Sequence, residues 1–428
     1  MGRWVDLALD VERMFTYCDD MPFIRTAPDL QDKLRILSAD AQYDLSCACS
    51  CGTGDSRRRG LDDRWLYPIT LQDGGRSLLF KTLVSNACAN DCKYCPLRAG
   101  HDATPRCSLS PEEIVQAFLP YWRAGLVVGL FLTSGVCGNP DAAMARMLAT
   151  AEILRRREQF RGILHLKIIP GASEAAIDRA LALASGVSLN IETAGAEHFA
   201  KLTARKDYLH SIVAPLKRIA ALTAPGAPHE RVKTSTQFVV GASDETDREV
   251  VRYMDGLYGR LGLHGIYFSA YQRGLGDPAL PGERSAVSNA DLLMREHRLY
   301  QTDFLMRKYG FQADEIGFDD ADNLPLDVDP KEFWARRHPE RFPVDVNRAD
   351  KAELLRVPGL GPVAVRRILN ARKNGGRVRS FESLGLRGAQ ARKAVAWTTL
   401  EPAVSDAVRR GLCPPPRVAS ATGDLFAR

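Results

Sequence analysis

The chain has 428 residues, 45% of them hydrophobic and 26% charged, with a net charge of +6. That is the profile of a globular protein long enough for one large domain and a smaller one. It contains no run of 18 apolar residues, so no membrane helix is expected. The acidic residues near the N-terminus break any secretory signal pattern, which points to the cytoplasm. Ten cysteines in a reducing compartment suggest metal or redox chemistry rather than a disulfide framework.

Residues 1–33 read as an N-terminal extension, with Met21 as an alternative start, and residues 34–75 as a cap segment. The cap carries "CACSC" (Cys47, Cys49, Cys51), followed by Arg57–Arg59. These three thiols read as small buried residues of a coil cap, as ligands of a second cluster, or as a catalytic thiol.

From residue 76 to 310, strand-like apolar runs alternate with helical patterns. The predicted strands are Leu78–Leu83, Gly129–Thr133, Leu164–Ile169, Val187–Ile191, Thr234–Val240 and Gly265–Ala270. Several are continuously apolar, as parallel strands covered on both faces are. "SPEE" predicts a helix start capped by Ser110 and Glu113, and "SNAD" another at Ser288 and Asp291. Leu292, Leu299, Leu305 and Tyr309 form an apolar stripe on the helix that follows. Six strands with helical crossovers make either a doubly wound sheet or an incomplete (β/α) barrel. Both gather ligands at the C-terminal ends of their strands.

"NACANDCKYCPL" directly follows the first predicted strand and places Cys88, Cys92 and Cys95 in eight positions. A structural zinc site or a ferredoxin-type cluster takes four protein ligands. A [4Fe–4S] cube held by three thiolates leaves one iron open to a substrate or cofactor. The alternatives are a zinc site completed by His101 or Cys107, and buried free thiols.

The spacing C-x-x-x-C-x-x-C, with Tyr94 before the third cysteine, resembles the signature of the radical S-adenosylmethionine (SAM) enzymes. The resemblance implies an α/β fold, a partial (β/α)6 TIM-like barrel. It also implies a [4Fe–4S] cluster on the three cysteines and an open iron that chelates S-adenosyl-L-methionine. In that family, one-electron reduction cleaves the sulfonium and releases a 5′-deoxyadenosyl radical, with an electron donor such as flavodoxin or ferredoxin. Weaker likenesses add cofactor-binding candidates beside Tyr94: Ser134 and Gly135 in "GLFLTSGV", Glu192 in "NIET" and Gly241 in "VVGASDET". Each has an ordinary alternative, since Ser-Gly at a strand end makes a tight turn and Glu192 could cap the next helix. Lys167 and Arg273 read as contacts to a carboxylate or phosphate, or as packing residues. Cys137 follows a strand end and is placed to face the site. Cys18, Cys107 and Cys413 carry no assigned role.

Residues 311–343 read as an acidic, aromatic linker packing on the core, and 401–428 as an irregular tail. Between Val346 and Val395, twelve Lys and Arg stand against Asp350, Glu353 and Glu382, an electrostatic footprint for phosphate. In the segment 344–400, Asn347 is expected to cap a first helix ending near Arg356. "PGLGP" makes a turn, and a second helix starts at Pro362 with Val363, Ile368 and Leu369 for packing. Gly359, Leu360 and Gly361 expose backbone amides at a helix N-terminus, followed by Arg366 and Arg367. The segment resembles the helix-hairpin-helix module, which grips the DNA backbone without reading sequence; a protein-interaction hairpin is the alternative.

With "REHRLYQTDFLMRKYGF" and "FPVDVNRADKAELLRVPGLGP" added, the chain resembles the DNA modification/repair radical SAM proteins. That resemblance implies action on DNA by base or sugar modification or lesion repair. It also implies a uracil-DNA-glycosylase-like partner protein and no membrane. The alternatives are a small-molecule enzyme of biotin-synthase-like type and a DNA-bound iron–sulfur sensor.

Overall fold

Continuous apolar runs need cover, and the crossover helices between the parallel strands of this chain supply it on one face of the sheet. The computed structural model describes residues 28–41, 65–70, 75–101 and 105–400. Residues 1–27, Cys18, the "CACSC" stretch, Arg57–Arg59, Cys413 and the tail 401–428 lie outside the described residues.

The described residues form two compact units. The first runs up to Phe238 and adds Leu263–Tyr267 and Gln272–Arg284. The second contains Val239–Gly262, Phe268–Tyr271 and the residues from Ser285 onward.

In the first unit, helix α1 (Leu30–Ala41) precedes strand β1 (Leu66–Thr70). Then come β2 (Arg76–Leu83), α2 (Pro111–Arg123), β3 (Gly129–Thr133), α3 (Pro140–Glu152), β4 (Ile163–Lys167) and α4 (Glu174–Leu183). They are followed by β5 (Gly186–Ser188), α5 (Ala196–Leu202), α6 (Ala214–Thr223) and β6 (Lys233–Val240), whose last two residues belong to the second unit. With β7 (Gly265–Ala270) these strands form one seven-stranded sheet in chain order. Strands β2 to β6 pair in parallel, whereas β1 runs antiparallel to β2. The fold is the expected partial (β/α)6 barrel, with one strand more than the sequence pattern indicates. That strand, "LYPIT", holds Pro68, which lacks a ladder donor and is tolerated here because β1 is an edge.

Register decides the two faces of the sheet. Phe80 lies beside Leu130, and Leu130 beside Leu164. All three are fully buried, with Phe118 of α2 edge-on to Phe80 at 5.8 Å. On the opposite face, Lys81 pairs with Phe131 and Phe131 with His165. The Phe131 and His165 rings stack at 4.5 Å, and the Lys81 ammonium lies 4.9 Å from the Phe131 centroid. The capping box predicted at Ser110 and Glu113 is formed.

The second unit contains α7 (Asp247–Gly259) and, beyond the short α8 (Pro281–Arg284) of the first unit, α9 (Asn289–Tyr309). Helix α9 starts with the predicted Ser288–Asp291 capping box and buries Leu292, Leu299 and Leu305. Its Glu296 carboxylate accepts from Ala270 N at 2.5 Å, and its Tyr300 hydroxyl from Phe268 N at 3.1 Å. Then follow α10 (Pro330–Arg337), β8 (Val344–Asp345), α11 (Lys351–Arg356), α12 (Pro362–Lys373), α13 (Gly388–Val395) and β9 (Thr398–Thr399). Two sequence expectations are corrected here. Asp350, not Asn347, caps α11, in a capping box with Glu353; Asn347 instead exchanges hydrogen bonds with Val378 at 2.8 and 3.0 Å. Val363 is 53% exposed, and α12 packs through Ala364, Val365 and Ile368.

Candidate metal centre and nucleic-acid surface

The three-cysteine loop leaves the C-terminal end of β2 and is held in place by backbone and short polar side chains. Asn86 is fully buried and donates to Asp40 Oδ2 and Pro105 O, both at 2.7 Å. Its Oδ1 accepts from Cys107 N at 2.7 Å. Asp91 accepts from the Thr203 hydroxyl, from Ala204 N at 2.9 Å and from Arg205 N at 3.3 Å. These donors hold its carboxyl below the usual range against the opposing effect of partial burial. Lys93 N donates to Leu202 O at 2.8 Å, and the Arg98 guanidinium to the carbonyls of Cys95 (3.0 Å) and Leu275 (3.1 Å). The loop is therefore tied to α1, to the segment after α5 and to residues before α8.

Cys92 is buried, and Cys88 and Cys95 are half-buried. Val136 N points at the Cys88 sulfur and Leu97 N at the Cys95 sulfur, both at 3.4 Å. Burial pushes the Cys95 thiol up to about 12, with Cys92 adding to the shift, and burial likewise raises Cys92. A thiolate in such a place needs cationic support, from a metal or from a buried base. Among the described residues, no three or more His, Cys, Asp or Glu side chains are grouped as a single metal ion requires. A cube makes a different demand, because its three thiolates bind three different irons and need not converge on one point. His101 Nδ1 lies 2.9 Å from Pro96 O.

Tyr94 and Glu192 meet. The phenol hydrogen-bonds the carboxylate, and its pKa is raised by burial first and then by Glu192, Cys92 and Cys95. Glu192 is 4% exposed and has φ +68°, a left-handed conformation uncommon outside glycine that marks a constrained strand end. Its amide donates to Gln237 O at 2.9 Å and its carboxylate accepts from Asn190 at 3.4 Å.

Lys206, absent from the sequence reading, completes this group. Burial lowers its ammonium pKa, but Cys92, which it hydrogen-bonds, and Glu192 more than offset this and raise it. Nothing in "KLTARKDYLH" singled it out, because its partners come from the β2 loop and the β5 end. Asn86 and Asp91 did carry a signal, as short polar residues flanking the cysteines.

Gly135 sits where β3 ends, its amide donating to Ser85 O at 2.7 Å. A Cβ there would lie 2.4 Å from the Ala87 carbonyl oxygen, so this glycine permits close approach of the cysteine loop. The Ser134 hydroxyl donates to Gly135 O at 2.7 Å. Gly241 belongs to the second unit; it has φ +81° and donates to Glu245 Oε1 at 3.1 Å.

At the hairpin, Leu360 is buried and its amide donates to Val357 O at 3.1 Å. Gly359 has φ +85°, and a Cβ on it would lie 2.3 Å from Gln390 O of α13. Gly361 is the N-cap of α12 with no side-chain cap, leaving the first-turn amides for an outside acceptor. Arg366 and Arg367 are exposed on α12, Arg367 donating to Leu384 O at 3.2 Å. Beneath the turn, Lys331 donates to the carbonyls of Leu355 (3.2 Å) and Leu360 (2.5 Å). It is 8% exposed. Burial lowers its ammonium to about 7, helped by Lys393 and opposed by Asp329.

Residues 82–257 match the Radical SAM superfamily, and residues 341–386 match the Helix-hairpin-helix motif. The chain carries a radical SAM domain and a C-terminal helix-hairpin-helix motif. No curated protein matches it. Among solved structures, it is similar to HydG, a maturase of the [FeFe]-hydrogenase, at 15% identity and TM-score 0.40, covering 52% of this chain and 49% of that one. HydG from Carboxydothermus hydrogenoformans gives 16%, 0.41, 53% and 51%. Methylornithine synthase (PylB) gives 15%, 0.40, 53% and 62%. The chain spans about half the length of the HydG structures it matches. No helix among its described residues is long and apolar enough to cross a membrane.

Proposed function

We propose that the chain is a cytoplasmic radical SAM enzyme that acts on DNA, modifying a base or sugar or repairing a lesion. The observation that carries the reading is the joining, in one chain, of the Cys88–Cys92–Cys95 loop at a strand end and an uncapped hairpin helix flanked by exposed arginines. Cys88, Cys92 and Cys95 would hold a [4Fe–4S] cluster. The donor set suits it: three cysteine sulfurs on one short loop, two of them facing backbone amides. When bound, the cluster and S-adenosyl-L-methionine supply a 5′-deoxyadenosyl radical.

The chain's own residues do the rest. Asn86, Asp91 and Arg98 fix the loop; Lys206 offsets negative charge beside Cys92; Tyr94 holds Glu192 at the end of β5. Ser134, Gly135 and Glu192 are the proposed cofactor contacts of the first unit, and Gly241 is a separate candidate in the second. Gly359, Gly361, Arg366 and Arg367 form the proposed contact with the DNA backbone, which positions substrate without reading sequence; Leu360 drops out of it, because it is buried and its amide is held by Val357 O. A target base within a duplex would be extruded to react. Flavodoxin or ferredoxin would supply the electron, and the resemblance in sequence supports a uracil-DNA-glycosylase-like partner.

The test is anaerobic reconstitution, incubation of DNA and RNA with S-adenosyl-L-methionine and reductant, and mass spectrometry of the released nucleosides. A new or lost nucleoside in DNA alone supports the reading. An unchanged DNA profile, with turnover of a small molecule instead, overturns it.

A further inference from the structure

The far end of the second hairpin helix carries a basic recess that the hairpin contact does not use. It is an open cavity of about 650 Å³ lined by Arg348, Arg372, Lys373 and Arg377, with Asn347 and Leu369 beside them and no carboxylate in its lining. Outside the lining, Asp345 lies 3.8 Å from Arg348. The recess is built rather than incidental. Arg372 donates to the carbonyls of Ala349 and Arg348, tying the end of α12 to the segment before α11. Arg377 donates to Leu400 O at 2.8 Å, using one of its five donors. The Asn347–Val378 exchange fixes the floor between them. Lys373 is exposed.

Cations near a helix C-terminus commonly do no more than offset its dipole. That accounts for Arg372 and Lys373, which belong to the last turn of α12. It does not account for Arg348 and Arg377, which come from outside the helix and face the same cavity. Arg348, Arg372 and Arg377 line the cavity with Lys373, and among these the carboxylate of Asp345 reaches only Arg348; such an excess of forked donors suits a tetrahedral oxyanion.

We propose that this recess is a second phosphate site, which takes a backbone phosphodiester of duplex DNA; the proposal rests on the reading of the protein as DNA-acting. Helix α12 has 12 residues, so the recess lies about 18 Å from the hairpin turn at 1.5 Å per residue. That spans the rise of about five base pairs at 3.4 Å each. Two contacts so spaced would set the orientation of the helix on the duplex, which a single hairpin contact leaves free to swivel.

The experiment is fluorescence anisotropy of the full chain with a labelled duplex two helical turns long, as a function of salt. Each phosphate contact contributes about −0.9 to the slope of log K against log[salt]. The variant Lys373→Ala/Arg377→Ala should therefore bind several-fold more weakly, with a slope shallower by ~1 to 2. A charge-matched control, Arg252→Ala/Lys308→Ala, removes two exposed cations elsewhere in the unit and should change both quantities less. If the recess variant and the control behave alike while Arg366→Ala weakens binding, the recess proposal is overturned and the DNA reading stands. If the unaltered chain shows no salt-sensitive duplex binding, both fail.

Discussion

Replacing Gly135 with alanine should disturb the cysteine loop from a position that bears no thiol. An added Cβ would lie 2.4 Å from the Ala87 carbonyl oxygen and 3.1 Å from that of Ser85. Ordinary contacts lie near ~3.5–4.0 Å, so one side must retreat by about 1 Å. Both sides are backbone. The Gly135 amide is hydrogen-bonded to Ser85 O at 2.7 Å, and the next amide, Val136 N, points at the Cys88 sulfur. Overpacking of this kind costs about 1–3 kcal/mol, and the displacement falls one residue before Cys88. Gly135→Ala should therefore lower the denaturant midpoint and also reduce iron and sulfide bound per chain after anaerobic reconstitution. Gly259→Ala is the control, since a Cβ there meets nothing within 4 Å at a helix end; it should be neutral or slightly stabilising. Full iron loading with an unchanged midpoint in Gly135→Ala would refute the reasoning.

Cys88→Ala, Cys92→Ala and Cys95→Ala should each abolish the iron–sulfur absorbance of the reconstituted protein, whereas Cys107→Ser should keep it; loss in the last would mean that Cys107 is a ligand. Lys331 should couple stability to pH. Its folded pKa is depressed from 10.5 to about 7, so between those values the unfolded chain binds more protons and stability rises with pH. At about 1.36 kcal/mol per unit the full effect approaches 4–5 kcal/mol. In chemical denaturation the unaltered chain should gain on Lys331→Met between pH 7 and 10 by roughly 3–4 kcal/mol; parallel pH profiles would refute it. Gly359→Ala should destabilise the second unit by more than about 1 kcal/mol, from its φ of +85° and its contact with Gln390 O. Lost DNA binding in that variant would therefore report unfolding, and Arg366→Ala is the cleaner probe, expected to weaken duplex binding and flatten its salt dependence by about one contact.

Local pattern carried much of the fold. Gly129–Thr133 and Gly265–Ala270 occur as strands with the predicted ends, and the Ser110 and Ser288 caps form as their spacing indicated. What escaped was decided by distant partners or by competition. Strand β1 was hidden by Pro68, which only an edge position tolerates. Asn347 looks like a cap, but Asp350 satisfies the α11 amides while Val378 engages Asn347. The glycines read as anion-binding have a prior packing role: Gly359 lets α13 approach. Lys206 was illegible because its meaning comes from Cys92 and Glu192, which only the folded sheet brings near it.

The most direct test of the central claim is release of 5′-deoxyadenosine by the reduced, reconstituted protein with S-adenosyl-L-methionine, measured with and without duplex DNA. Release should exceed background, rise with DNA and vanish in Cys88→Ala, Cys92→Ala and Cys95→Ala. Release at background level from a fully loaded protein, with DNA present, would contradict it.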